Sequence, residues 1–208
     1  ERGVYSFCMC PGGFIVPAAT ANGEVVVNGM SPSKRNNQFA NSGIVVEIDV
    51  HKDLPKFEHF GALKGLEYQK NLERMAFTAG GRSQAAPAQR LTDFVEGKLS
   101  NSLNPTSYQP GLNAAPLHSL LPKLIGSRLR KGFEVFGQKM TGFYTAEANV
   151  IGVESRTSSP VCIPRNEQLE HPQIQGLFPC GEGGGYAGGI VSAAMDGERC
   201  AEAAIKNL

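Results

Sequence analysis

The 208 residues lack an excess of either charge: 20 Lys and Arg stand against 19 Asp and Glu, a net charge of +1 with an isoelectric point near 7.9. The basic residues are scattered, so no positive field is available for a nucleic acid. Long apolar runs are lacking as well. Those present, such as Ile44–Val46 and Leu120–Leu121, fall far short of the roughly 20 residues that a membrane helix requires. There is no nucleophile elbow, and His51, His59, His118 and His171 show no mutual spacing that a catalytic pair or ligand set would demand, which disfavours a hydrolase. The five cysteines are irregularly spaced, and no CxxC or His pair completes a zinc site, so no metal is expected. Free thiols and no secretory segment point to a reducing compartment, the cytoplasm by default. The chain opens on Glu1-Arg2-Gly3, with neither an initiator Met nor a signal peptide, and reads there as the middle of a folded region.

What is present suits one compact α+β unit with an excursion. With 41% hydrophobic residues there is enough chain to bury a core, though not two large ones. Residues 1–50 read as strands: Val4–Cys8, Phe14–Ala18, Glu24–Val27 and Ile44–Ile48 are rich in β-branched and aromatic residues. Asn22-Gly23 favours the positive φ angles of a type I′ turn and predicts a hairpin over Phe14–Val27. Residues 51–148 change to a mostly helical excursion. Leu66, Leu72, Met75 and Ala76 mark one amphipathic helix, Leu91, Phe94 and Val95 a second after Pro87, and Leu124 to Phe136 a third after Pro122. Residues 149–208 return to strand at Asn149–Glu154 and Leu177–Cys180 before a terminal helix. Strands at both ends predict a sheet layer interrupted by an insertion.

The most informative stretch is Leu177–Ala204. Gly181 to Gly189 holds six glycines, too many for regular structure. From Ile190 onward Ala193, Ala194, Gly197, Cys200, Ala201 and Ala204 recur at helical spacing, a small-residue face that packs closely. A helix beginning after a side-chain-free loop can bring unpaired N–H groups and a positive dipole end against an anion or an electron-rich ring. The competing reading is a glycine-rich connection that merely lets the helix pack on a sheet.

This segment resembles the C-terminal FAD-binding motif of uncharacterised FAD-dependent dehydrogenases, a branch of the flavoproteins built like glutathione reductase. Val4–Gly13 (VYSFCMCPGG), Asn28–Ser31 (NGMS) and Glu154–Val161 (ESRTSSPV) resemble stretches of the same family, so the likeness spans nearly the whole chain. The resemblance implies an FAD-dependent oxidoreductase. It places Gly181 and Glu182 near the ribityl and phosphate part of FAD, with Gly183 in the same cradle, and turns the backbone N–H groups of Gly188, Gly189 and Ile190 toward the pyrimidine edge of the flavin. NAD(P)H is a candidate electron donor, and a small molecule is the substrate. Members of the family open with a strand, a GxGxxG turn and a helix around the FAD pyrophosphate. The one stretch here with that spacing, Gly183–Gly188, lies near the C-terminal end of the chain and leaves no room for the remaining strands and the acidic residue that binds ribose. The expectation is therefore a C-terminal fragment, inactive alone, that holds no FAD without its N-terminal dinucleotide-binding half and is open to self-association.

Two polar loops are candidates for the substrate side. Asn28, Ser31 and Arg35, with Asn41, follow the hairpin, and Arg156 lies in the loop to Ser159. Each loop follows a predicted strand within a stretch that resembles the family. Arg156 could hold an anionic substrate or offset the charge of a reduced flavin; the alternative is an ion pair with Glu154, two residues away on the same strand face. Cys8 and Cys10 point to the same strand face, as buried small hydrophobes or as a thiol near the flavin. No residue stands out as catalytic acid or base. The functional alternative is a non-catalytic module in which the glycine-rich turn binds an anion and the helical stretch a partner.

Overall fold

A computed structural model describes residues 3–206, so the reading of Glu1 and Arg2 lies outside the described residues. Helices and short strands are both present, in keeping with the α+β expectation, but the expected common sheet layer needs correction. The described strands fall into three small sheets, and the strand at Asn149–Ile151 pairs with Ala86–Arg90 inside the stretch read as helical, not with the N-terminal strands. The chain forms two compact units that cut it at other places than the three segments read from composition. One holds the residues up to Asp49 together with Lys70–Ser155, the other Val50–Gln69 together with the residues from Arg156 onward.

In the first unit β1 (Val4–Cys10) and β4 (Asn41–Val46) form an antiparallel pair, as their β-branched residues predict. β2 (Phe14–Pro17) and β3 (Val27–Met30) pair antiparallel, but not through the type I′ turn expected at Asn22-Gly23: Gly23 has φ +78 while Asn22 does not share the positive φ that turn needs, and residues 18–26 form a longer connection. The second strand begins later than predicted. Val25 and Val27 donate their N–H groups to Glu73 and Val153, so the residues before β3 are tied to other parts of the unit and become its core.

That core also contains a strand the sequence disguises. β5 (Ala86–Arg90) lies between β6 (Leu112–Ala114), parallel to it, and β7 (Asn149–Ile151), antiparallel. The sequence Ala-Pro-Ala-Gln-Arg carries none of the β-branched or aromatic residues that mark strands. Small side chains serve here because Ala86 packs among Val25, Val27, Ala76, Tyr108 and Val153. The buried amide of Gln89 is satisfied by the Lys98 carbonyl at 2.6 Å and by His118, as a buried polar group must be. The return strand of Asn149–Glu154 is correspondingly shorter than predicted, ending at Ile151.

Helices α1 (Lys64–Ala79), α2 (Leu91–Glu96), α3 (Leu117–Leu120) and α4 (Lys123–Lys139) include the three expected from apolar periodicity. α1 follows a 3₁₀ stretch, Pro55–Leu63, and crosses from residues of the second unit into the first. A second cluster joins Leu91, Phe94, Val95, Leu117, Leu129 and Phe133. Phe94 is 0% exposed and meets Phe133 edge-on, ring centroids 5.8 Å apart. Truncating such a side chain removes its transfer energy and leaves a cavity. Phe94→Ala is expected to cost about 3–5 kcal/mol of unfolding free energy, read by denaturant melting; a loss below about 1 kcal/mol would contradict this packing.

In the second unit the sequence expectation of a strand at Leu177–Cys180 is corrected: these residues form no strand. Pro179 has no N–H to give a ladder, and its carbonyl accepts from Arg165 instead. The terminal helix α5 runs Ile190–Lys206. No helix among the described residues is long and apolar enough to cross a membrane.

Candidate functional site

The glycine cluster folds as consecutive turns leading into α5, and its glycines divide into two sets. Gly181, Gly184 and Gly185 are needed by the protein itself. Gly181 has φ +65 and Gly185 φ +85, a region that side-chain-bearing residues rarely adopt. A Cβ on Gly185 would stand 2.7 Å from the Val161 carbonyl oxygen, and one on Gly184 2.9 Å from that of Cys180. The turns close on themselves: Gly184 N–H donates to the Cys180 carbonyl, Gly185 N–H to Glu182 and Tyr186 N–H to Gly181.

Gly183, Gly188 and Gly189 face open space. A Cβ on Gly183 or Gly188 would meet nothing within 4 Å, and on Gly189 only the Ser192 hydroxyl at 3.6 Å. Glu182 is exposed beside them. Gly189 caps the helix, its carbonyl accepting from the Ala193 N–H at 2.9 Å and the Ser192 hydroxyl at 3.0 Å. The N–H groups ahead of Ala193 are those an α-helix leaves without intrahelical acceptors. They stand at the positive end of a 17-residue helix, next to backbone that carries no side chains. Ile190, 92% exposed, and Val191 flank them. Donors, backbone without side chains and exposed apolar side chains are the groups that can meet an anion or an electron-rich ring.

The face of α5 turned away from this surface is held by residues that periodicity alone did not single out. Asp196, 7% exposed, receives Arg165 through both oxygens at 2.8 and 2.9 Å, and its Oδ2 also accepts the Gly181 N–H at 2.9 Å. Arg165 further donates to the Pro179 carbonyl at 2.9 Å and lies over the Tyr186 ring, 3.6 Å from its centroid. The guanidinium, and secondarily the Gly181 N–H, hold the Asp196 carboxyl at a pKa of about 2, below its ordinary 3.8. A depressed carboxyl stabilises the fold fully above pH 3.8, and this contribution is lost as pH falls through about 2, so the pair is intact at neutral pH. A signal was available: Asp196 sits on the same helical face as Ala193 and Cys200, and a carboxylate on a packed small-residue face requires a partner.

The substrate-side candidates fall in different units. Asn28, on β3, and Ser31 and Arg35, beyond it, are exposed residues of the first unit. Arg35 adopts φ +45 in a tight turn in which its N–H donates to the Pro32 carbonyl at 3.0 Å. Asn41 donates to the Phe14 carbonyl at 3.2 Å, and its buried Oδ1 has no partner. Arg156 belongs to the second unit and is half-buried. Glu154, in the first unit, has its pKa pushed up by burial. The expectation for Cys8 and Cys10 needs correction. The register of β1 slips between Phe7 and Cys10, and such a bulge breaks the alternation that would put both thiols on one face. Cys8 is exposed at φ +47, while Cys10 is buried and donates its S–H to the Cys8 carbonyl at 3.2 Å. Among the described residues no three of His, Cys, Asp and Glu are placed to hold a metal.

Residues 1–157 match the family described as FAD-dependent protein, C-terminal domain-like. The chain belongs to this family. It is also 41% identical over 210 residues to an uncharacterised protein of Clostridium beijerinckii, an alignment that covers all of this chain and 39% of that relative. The chain thus spans about two fifths of the length of the relative it matches. The matched family segment contains Asn28, Ser31, Arg35 and Arg156, whereas the glycine cluster and α5 lie beyond it, in the part shared with the Clostridium protein. The family description associates FAD with the full-length protein.

Proposed function

We propose that this chain is the flavin-ring portion of an FAD-dependent oxidoreductase, a dehydrogenase of the glutathione-reductase type, completed by a dinucleotide-binding part outside these 208 residues. The observation that carries the proposal is the pairing of exposed, side-chain-free backbone at Gly188 and Gly189 with the amide-bearing start of α5. FAD, when bound, supplies the hydride chemistry. Gly188, Gly189 and Ile190 would present N–H groups where negative charge collects on the reduced ring, an electrostatic stabilisation set in place beforehand. Glu182 and Gly183 would face the ribityl side. Asn28, Ser31 and Arg35 of the first unit and Arg156 of the second are the candidates for the substrate side. A small molecule is the substrate and NAD(P)H the electron donor, in a cytoplasmic protein.

A flavin absorption spectrum from the full-length protein tests the proposal; a colourless, FAD-free preparation favours the anion- or partner-binding module instead. Arg156 gives the sharper measurement. If it serves the flavin or an anionic substrate, Arg156→Ala in the full-length protein lowers turnover or shifts the flavin potential by more than it lowers the melting temperature. Losing one charged contact of this kind is worth about 1.5–3 kcal/mol, roughly ten- to a hundredfold in rate. Unchanged rates and potential with a lower melting temperature would assign Arg156 a structural part only.

A further inference from the structure

We infer that Asp196 and Arg165 are positioning residues for the flavin-facing amides, holding the glycine turn in register with the start of α5. The inference rests on the flavin reading above. The geometry is that of a plate bolted at several points. One carboxylate oxygen of Asp196 takes both an Arg165 N–H and the Gly181 N–H, so the first amide of the turn is anchored to the middle of α5. Arg165 also takes the Pro179 carbonyl, which fixes the approach to the turn. The opposite end is fixed by Tyr186, whose ring covers the guanidinium, whose N–H donates to the Gly181 carbonyl at 3.0 Å, and whose hydroxyl donates to the Ile163 carbonyl at 2.8 Å. Residues 181–186 are therefore clamped at both ends, and the free amides begin directly after the clamp.

Gly181 is thereby removed from the set of amides open to a ligand, because its N–H is spent on Asp196. A buried ion pair is a poor way to add net stability, since the attraction between its members roughly offsets their desolvation. Its directional bonds do fix relative placement, and a displacement of about 1 Å at a ligand-positioning group costs on the order of a hundredfold in rate. Arginine suits the task because a planar fork can grip a carboxylate bidentately while stacking on an aromatic face; lysine offers neither.

The test uses the full-length protein with its FAD. Asp196→Asn and Arg165→Lys are expected to speed FAD release by about tenfold or more and to shift the flavin potential and visible circular dichroism. Arg165→Lys should fail to rescue although it keeps the charge. Tyr186→Phe, which keeps the ring over the guanidinium and loses the hydroxyl's hydrogen bonds, that to the Ile163 carbonyl among them, is the mild variant should the others not fold, and should move the same quantities less. Ser100→Ala, which breaks a buried bond to Asp93 in the first unit, controls for general destabilisation and should leave them unchanged. Lower melting temperatures with wild-type release rate and potential would overturn the inference. Should the wild-type protein carry no flavin, the flavin reading fails separately, and hydrogen exchange still judges the clamp. The amides of residues 182–190 should exchange faster in Asp196→Asn while those of β5 keep their rates; equal acceleration of both would refute it.

Discussion

FAD added at micromolar concentration to these 208 residues alone is expected to give neither thermal stabilisation nor quenching of flavin fluorescence. The one GxGxxG spacing in the sequence, Gly183–Gly188, follows no strand, so the strand–turn–helix unit that cradles the pyrophosphate in dinucleotide folds is not formed there, and the ADP portion of FAD holds about 27 heavy atoms. At roughly 0.3 kcal/mol per atom for ligands of this size, the contacts it would forgo amount to on the order of 8 kcal/mol, nearly six decades of affinity. The surface proposed above for the flavin ring offers only a few amides and open glycines, with Ile190 and Val191 exposed beside them. Such an apolar edge favours self-association over capture of a solvated cofactor, so sedimentation of the same sample should show concentration-dependent mass. The check is a melting curve with and without FAD; stoichiometric FAD copurifying with the isolated chain would show that the ring-side cradle suffices.

The amphipathic helices were legible because packing imposes a period on the sequence: Leu124, Ile125, Leu129, Phe133 and Phe136 lie within α4. α5 was legible from its small residues, but they are not the closely packed face expected, since Ala194 and Ala201 are exposed and Asp196 and Cys200 are the buried positions. The β1–β4 pair and the pairing of β2 with β3 were legible from β-branched residues, whereas the type I′ turn read from Asn22-Gly23 is not formed, because only Gly23 of the two has positive φ. Where tertiary context decides, the reading failed. Ala86–Arg90 is a strand because β6, β7 and a close-packed core make it one, against its own propensity. Leu177–Cys180 looked like a strand end by composition, yet Pro179 spends its carbonyl on Arg165. In the site, the glycine turn and the helix start were visible as local sequence. The pair that secures them was not, because Arg165 and Asp196 are 31 residues apart and neither belongs to a local pattern that names the other. Composition could not separate the glycines either, since six of them look alike until their surroundings are known.

That separation gives the second large effect. Gly185→Ala places a side chain at φ +85 with its Cβ 2.7 Å from the Val161 carbonyl oxygen and 2.9 Å from the Cys162 Cα, and neither backbone neighbour can swing away as a flexible side chain would. Backbone strain of this kind costs about 1–3 kcal/mol, so the full-length variant should melt measurably lower, and any flavin loss should follow from a disordered turn. Gly188→Val is expected to do the opposite. Its added Cβ would meet nothing within 4 Å, and the position lies outside the left-handed region, so folding stability should stay within about 0.5 kcal/mol of wild type. The new side chain would nonetheless stand on the face proposed for the ring and push it from the amides of Gly189 and Ile190. Losing even one good hydrogen bond and the close stacking behind it should weaken FAD by at least about tenfold, or 1.4 kcal/mol, read by titrating the apoprotein of the full-length variant. Two glycines three residues apart then report different quantities, one the melting temperature and the other the dissociation constant. Wild-type FAD affinity in Gly188→Val would mean that the flavin lies elsewhere and that the open glycines are only a surface turn, whereas an unchanged melting temperature in Gly185→Ala would mean that the tight approach of Val161 and Cys162 is not present in solution.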